Sequence, residues 1–595
     1  MKNLDFSKIC LINFYLVLAS FNVFAQIGAW TQKKDIPTPR LYASANVINN
    51  KVYVIGGSGI SLNDLAANEV FDPSFHTDIY SGSVNGTWWL ASSPYYINGE
   101  ITIQNGETLT IEPGVKVVFT GHYKLNVQGR LLAIGTKKDS IRLLAEDKNV
   151  GWHGIRFLNT QRTNDTSKII YCSIRYGNAN TGSGFDRCGG AMLIKDFDKV
   201  YVSNCLFDSN KQSGEGWNPP EAIGGIYVYH ASPIITNSTF SNNYSTSKSS
   251  AVGCVNCPNA IVSNNIFVKN RGAYAAVAFV SNSKGIISGN IISDNVSTVI
   301  AGGILIDCAI SSGSTSPLIE NNIIIHNQAP LGGGVACYIN ANPVLINNTI
   351  AHNIGGSGGG IYCHNSNPIL INNILFGNSA TSAGQQVFIM DNGSDPIFLY
   401  NDIQGGKDEF GGTGAGANYI GRYENNIDFD PSFRDTASGD YSLLVYSRCI
   451  GAGIDSVEVD GNWYCAPKFC KMGVPRPSPD TSMPDIGACE SLLGSPLFVG
   501  VKQETTNPSE FFIYQNYPNP FNPTTNFEFR ISNFGLVTLK IYDILGREIE
   551  TLVNEEKSEG TYEVTWNAAN LPSGVYFYQL KAGTFTATKK LLLLK

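Results

Sequence analysis

The chain is poor in charge, and the charge it carries leans acidic. Only 15% of its 595 residues are Asp, Glu, Lys or Arg, and 41 basic residues against 48 acidic ones leave a net charge of −7. Phosphate binding needs a basic footprint, so this balance argues against nucleic acid as a partner and gives no general pull toward polyanions. Long apolar runs are scarce as well. The one at Ile9–Ala19 follows Lys2 and Lys8 and precedes Val23-Phe24-Ala25. It is too short to span a bilayer and reads, with its flanks, as a removable signal peptide over residues 1–25. No other run is long enough for a transmembrane helix, so a soluble mature chain is expected. What is plentiful is glycine, 61 residues, beside 11% aromatics, a composition of strands and turns rather than helices. The length is too great for one core and predicts two to four domains.

A short pattern recurs through the middle of the chain: apolar residues, an Asn-centred pair, two apolar residues, then another Asn. Copies start at Asn204, Asn237, Asn264, Gly289, Asn321, Asn347 and Asn372, with weaker ones at Tyr171 and Asn401. Spacings run from 25 residues (Asn347 to Asn372) to 33 (Asn204 to Asn237). Six residues after each start stands a further asparagine: Asn210, Asn243, Asn270, Asn295, Asn327, Asn353 and Asn378. Such a period predicts a solenoid whose coils bury their apolar faces only by stacking. Asparagines in register then hydrogen-bond to their copies one strand spacing away, roughly 4.8 Å, which makes them structural. Glycine clusters at Gly189-Gly190, Gly224-Gly225, Gly302-Gly303, Gly332 to Gly334 and Gly358 to Gly360 mark turns before apolar strands. They recur with the coils and no helix follows, so they are not phosphate loops.

These motifs resemble the right-handed parallel β-helix repeats of pectate lyases, related polysaccharide lyases and many bacterial surface proteins. The lead-in Ile103 to Gly114 with Trp152-His153-Gly154-Ile155 fits the resemblance, as does the closing Asp428 to Phe433 with Asp485 to Glu490. It implies an all-β chain with a parallel β-helix over 80–495. Tyr517-Pro518-Asn519-Pro520-Phe521-Asn522-Pro523 opens a different unit with strand-like runs at Asn526–Ile531, Val537–Tyr542, Gly560–Trp566 and Gly574–Leu580. Residues 508–595 resemble the type A C-terminal sorting domain of the type IX secretion system. This implies a small immunoglobulin-like β-sandwich, the secretion machinery as partner, and an extracellular or surface location. A linker is read over 496–507, with a Pro/Ser-rich stretch from Pro475 to Pro484 read the same way. Residues 26–79 resemble a kelch repeat and part of a second, through Val52-Tyr53-Val54-Ile55-Gly56-Gly57 and Val70-Phe71-Asp72-Pro73. Four blades are needed to close a propeller, so a cap on the first coil is expected instead.

Removing Cys10 with the signal peptide leaves 12 of 13 cysteines, an even number in an oxidising compartment, which makes disulfides the default. Aligned coils put Cys172 beside Cys205 and Cys337 beside Cys363, either as bonded staples or as stacked buried thiols. Cys449, Cys465, Cys470 and Cys489 are further disulfide candidates; as a zinc site they lack close Cys-x-x-Cys pairs.

Two columns hold chemistry-bearing residues. The position before the second Asn reads Ser209, Asn242, Lys269, Asp294, His326, His352 and Gly377. Lys269, Asp294, His326 and His352 are either acid/base or anion-binding groups, or an exposed turn column; the second reading is preferred. The second column follows the glycine turn and reads Ile194, Tyr229, Asn256, Asp307, Tyr338 and His364. Here aromatic rings beside polar groups suit glycan stacking, although tyrosine ladders also stabilise sheets. Inserts at Gly182–Cys188 and Gln212–Glu221 carry Asp186, Arg187, Glu215 and Glu221 as possible cleft walls. Carboxylates are sparse between Gly225 and Met390, while sugar hydrolysis needs two. The expectation is a surface or secreted protein that binds glycans or contributes to the cell coat, with no cofactor. The alternative is a β-helix polysaccharide lyase or glycoside hydrolase, with Ca²⁺ if a lyase.

Overall fold

The computed structural model describes residues 43–48, 51–55, 68–71, 76–212, 223–308, 313–413, 416, 419–497 and 511–594. The chain divides into two compact units at residue 497.

The solenoid of the first unit is built of three long parallel sheets and a fourth, shorter one that begins at Lys211. Sheet A has thirteen strands from Thr77–Ile79 to Asp402–Ile403, and sheet B twelve from Gly82–Ser83 to Val387–Ile389. Sheet C has thirteen from Gly86–Trp88 to Tyr423–Glu424, and sheet D seven from Lys211–Gln212 to Ser379–Ala383. One turn of the solenoid passes through Leu318–Glu320 (sheet C), Ile323–Ile325 (A), Gln328–Leu331 (D) and Val335–Tyr338 (B) before re-entering C at Val344–Ile346. Each strand pairs in register with its counterpart one coil away, as in Ile324↔Ile350 and Cys337↔Cys363. Alternate residues point inward and stack on their own kind: Phe207, Phe240 and Phe267 lie ring over ring at 4.7 and 4.9 Å. Such aromatic pairs contribute about 0.5–1.5 kcal/mol beyond the area they bury.

The asparagines divide their labour in a way the spacing did not show. The first residue of each pair is left-handed and points outward, with φ of 50–56° at Asn204, Asn237, Asn264, Asn321, Asn347 and Asn372. Asn and Asp enter this region most readily among non-glycine residues. The second residue points inward and builds the ladder. Asn290 Oδ1 accepts from Asn265 N at 2.9 Å and from Asn265 Nδ2 at 3.2 Å, while Asn290 Nδ2 donates to Val262 O. The same bonds continue through Asn322, Asn348, Asn373, Asn401 and Asn426. The copy read from Asn401 therefore begins one residue earlier, at left-handed Tyr400. A second ladder joins Asn210, Asn243, Asn270, Asn295, Asn327, Asn353 and Asn378. Glycine is required where the chain passes into sheet B: a Cβ on Gly333 would lie 2.6 Å from Gly359 O.

Beyond Ile427, which still pairs with Asp402, the chain leaves the coil path and folds back along the corner between sheets C and A. Phe433, Tyr441, Ala488 and Cys489 pack on Ile323, Ile325 and Ala351, while Val457, Val459 and Tyr464 pack among Val344, Ile346, Ile369 and Ile371. Outward asparagines clasp this return segment. Asn321 Nδ2 donates to Phe469 O, Asn347 Nδ2 to Asp485 O, and Asn372 Nδ2 to Ile454 O, at 2.8–2.9 Å. Arg476 is locked by Glu490 at 2.8 Å and Asn321 Oδ1 at 2.7 Å, with no solvent exposure of either charged side chain. Pro475 to Pro484 is thus not a linker, because its Arg476 is buried in an ion pair with Glu490.

Ser44–Ile48, Lys51–Ile55 and Asn68–Phe71 form a separate three-stranded antiparallel sheet. Its expected docking on the first coil, and the signal peptide, fall on residues outside those described. The second unit has two antiparallel sheets. One holds Phe512–Ile513, Thr524–Ile531 and Gly560–Asn567; the other holds Gly535–Tyr542, Glu548–Lys557, Gly574–Ala582 and Phe585–Leu593. They share a core that includes Phe527, Phe529, Trp566, Tyr578, Leu580 and Leu591.

Candidate functional site

The column of Lys269, Asp294, His326 and His352 occupies a left-handed turn. Its φ values are 57, 58, 54 and 55°, and Ser209, Asn242 and Gly377 share the conformation at 58, 55 and 65°. This left-handed backbone favours Asn, Asp, His and Gly, which hold five of the seven places. His326 and His352 stack at 5.5 Å, and the hydroxyl of Tyr441 from the return segment lies 3.2 Å from His326 Nε2. Burial and the neighbouring His326 lower the His352 pKa, while burial and Asp294 push the Tyr441 phenol up to about 12. Among the described residues these side chains face the return segment or solvent, and no second carboxylate joins Asp294.

The outer face of sheet B is different. Pairing places Lys195, Tyr229, Val255, Val280, Asp307, Tyr338 and His364 in one column. Tyr229, Asp307, Tyr338 and His364 therefore line up, but two expected members do not. Ile194 pairs with Val228 and points into the core, and Val255 holds the position expected for Asn256. Beneath and beside the column runs an apolar strip of Leu193, Tyr227, Ala278, Leu305, Ala336, Tyr362 and Phe388, separate from the main core. Phe185, from the insert at Gly182–Cys188, leans on Tyr229 at 4.8 Å, and Lys195 Nζ sits 5.2 Å over the Phe185 ring. Lys248 reaches across two coils to Asp307 at 2.5 Å and lies 5.0 Å over the Tyr274 ring. Tyr338 meets His364 edge to face at 4.8 Å, and His364 lies 3.9 Å from Asp391. Burial, with Tyr338 and Asp391 nearby, pushes the Tyr362 phenol up to about 12. Two aromatic patches, Phe185–Tyr229 and Tyr338–His364, are thus separated by a lysine–aspartate bridge.

Sequence reasoning missed Lys195, Phe185, Lys248 and Tyr274. Lys195 is one residue from the expected position; Phe185 lies in an insert, Lys248 in a turn, and Tyr274 at the end of a sheet D strand whose register shifts against its neighbour. Of the insert residues, Glu215 and Glu221 lie outside the described residues. Asp186 meets Lys124 at 3.1 Å, and its carbonyl oxygen lies 2.8 Å from His153 Nε2. Burial with the nearby Arg156 drives the His153 pKa down to about 2, so that imidazole is neutral. On the sheet C face, a depression of about 420 Å³ bounded by Lys168, Asp198, Lys199, Tyr201 and Ile234 has one aromatic ring. It offers less stacking surface than sheet B.

The described cysteines are present as thiols. Cys172 and Cys205 belong to the turn ladder, where Cys172 N donates to Cys205 Sγ at 3.4 Å and Cys205 N to Ser238 Oγ at 3.0 Å. Cys337 and Cys363 are strand partners facing the core. Cys449 donates to Asp402 Oδ2 at 3.1 Å, and Cys465 is exposed. Burial pushes the Cys489 thiol up to about 12, helped by the nearby Cys470. Among the described residues no cluster of three His, Cys, Asp or Glu could hold a metal ion.

Three stretches match known families: residues 215–375 a "right handed beta helix region", 515–594 a "secretion system C-terminal sorting domain", and 39–77 a "kelch motif". An F-box/kelch-repeat protein of Arabidopsis thaliana is 21% identical over 229 residues, which is 37% of this chain; the chain spans 59% of that protein's length. Among solved structures, the enzymatically active domain of the tailspike protein 4 of bacteriophage CBA120 aligns over 100% of this chain and 79% of its own. Its identity is 9% and its TM-score 0.25. Sheets and sorting domain together make this an exported β-helix protein, sent to the cell surface or beyond by type IX secretion. Among the described residues no helix is long and apolar enough to cross a membrane.

Proposed function

From the premise of an exported β-helix, we propose that this protein binds glycans along the outer face of sheet B, on the cell surface or as part of its coat. The observation that carries this reading is the run of rings and hydrogen-bonding groups down one column. Tyr229 and Tyr338 stand four strand spacings apart, about 19 Å at ~4.8 Å each, with Asp307 between them. Sugar rings stack on aromatic faces through their C–H groups, and their hydroxyls pair with carboxylates and amines. Each strand spacing matches roughly one sugar unit, so a linear glycan can follow the solenoid axis.

The same geometry disfavours hydrolysis. Glycosidase carboxylates lie about 5–9.5 Å apart. Asp307 and Asp391 are three strand spacings apart, about 14 Å, and Asp196 and Asp307 about four. The test is a polysaccharide panel with the full exported protein, read for both retention and cleavage, with and without Ca²⁺. Retention without new reducing or unsaturated ends is expected. Tyr229→Ala and Tyr338→Ala should each weaken it about tenfold, roughly 1.4 kcal/mol. Release of unsaturated or reducing ends would replace this reading with a lyase or hydrolase.

A further inference from the structure

Along the outer face of sheet B, four carboxylates each meet a basic side chain, while the buried Arg156 donates to the carbonyls of His153, Cys188 and Gly189. Lys124 meets Asp186 at 3.1 Å, and Lys248 meets Asp307 at 2.5 Å. Lys195 and His230 share Asp196, with His230 Nδ1 at 3.5 Å, and His364 lies 3.9 Å from Asp391. From the Lys124 coil to the His364 coil is eight strand spacings, roughly 38 Å at ~4.8 Å each. Over that length each of these basic side chains lies within 4 Å of a carboxylate, with Asp196 serving two of them.

Several of these pairs are also partly withdrawn from water. Side-chain exposure is 20% for Lys124, 17% for Lys248 and 2% for Asp307. A ligand carboxylate that captured one of these amines would strand a protein carboxylate in a poorly solvated place, which is costly. A hydroxyl makes no such demand. It donates to the carboxylate or accepts from the amine while the pair stays intact. The rings of Tyr229 and Tyr338 add stacking surface without charge.

We infer that the ligand of this face is a neutral glycan, built from uncharged sugars rather than from uronic or sulfated units. The inference rests on the glycan reading above and adds the charge class of the ligand. The full exported protein is titrated with mannan, xylan and a β-glucan as neutral probes, and with polygalacturonate and alginate as acidic ones. The expected result is binding of at least one neutral probe, with affinity changing less than about twofold between about 0.05 and 0.5 M NaCl. Asp196→Asn, at a side chain 42% exposed, releases Lys195 and His230. It should raise affinity for polygalacturonate about fivefold at low salt, a gain that high salt erases. Tighter binding of an acidic probe than of every neutral one by the natural chain would overturn the inference while leaving glycan binding standing. An Asp196→Asn variant with unchanged acidic binding would overturn it as well. Capture of neither class by a folded protein would remove the glycan reading itself, and this inference with it.

Discussion

On either side of the asparagine corner, outward positions change character partway along the solenoid. Along sheet C, Thr236, Ser263, Ser288 and Glu320 are followed in the same column by Ile346, Ile371 and Leu399. Along sheet A, Asp208, Ser241, Val268 and Ser293 give way to Ile325, Ala351 and Phe376. The change coincides with the coils that the return segment covers. The ladder between these columns keeps one bonding pattern throughout, with Cys205 and Ser238 in its earlier places and asparagine from Asn265 onward. Inward and turn positions therefore report the scaffold, whereas outward positions report what lies against them. By that rule sheet B stands apart: its outward column is neither uniformly polar nor uniformly apolar, but mixes rings with paired charges.

The strongest way to break this comparison is to remove the lock on the covered coils. Arg476→Met leaves the buried Glu490 carboxylate unpaired and should cost about 3–5 kcal/mol. Hydrogen exchange should show residues 445–490 losing protection while coils before Asn264 keep theirs; joint loss would mean that the two halves are not distinct.

Acidity offers a second lever. Burial pushes the Asp402 and Asp485 carboxyls up to about 7 from a usual value near 3.8. The folded chain thus holds protons that the unfolded chain releases, so this stabilisation is full below about pH 4 and is lost as pH rises through about 7. Thermal melting of the covered half should fall between pH 5 and pH 8, by an amount on the order of a few kcal/mol, and Asp402→Asn should flatten the profile.

Smaller effects separate ladder from turn. Asn265→Ala removes an acceptor and a donor from buried partners and should cost about 1–3 kcal/mol in chemical denaturation. Asn264→Gly, next to it on the outward side, should change stability by less than about 0.5 kcal/mol, because glycine accepts the left-handed backbone. The two halves of the sheet C column differ on a similar scale: Ile346→Thr, in the covered half, should cost about 1–2 kcal/mol in chemical denaturation, and the opposite kind of change at Ser288 (Ser288→Val) about 0.5 or less.

Much of the solenoid was legible because each coil repeats the same constraint. Asn210 through Asn378 recur at one offset since each satisfies the same buried backbone groups. Coils before Tyr171 use other residues at the corner, so they gave no such count. The return segment was illegible for a different reason. Arg476, in a Pro/Ser-rich stretch, and Glu490, just after it, are ordinary charged residues, and only the fold shows that both are buried. On sheet B, single-residue drift in a loop hid Lys195, while Lys248 acts two coils from its place in the sequence. The rings and acids were visible, but their pairing was not.

The clasp also acts as a ruler. Asn321, Asn347 and Asn372 must present their amides at one-coil intervals to Phe469, Asp485 and Ile454 on a segment of fixed length. A coil duplicated between those asparagines would put clasp and segment out of step. Near the front, Lys124 with Asp186 and Asn105 with Asn164 bridge coils through single contacts, a shorter gauge than the three-coil clasp. The covered half is thus held to a set number of coils by its own clasp.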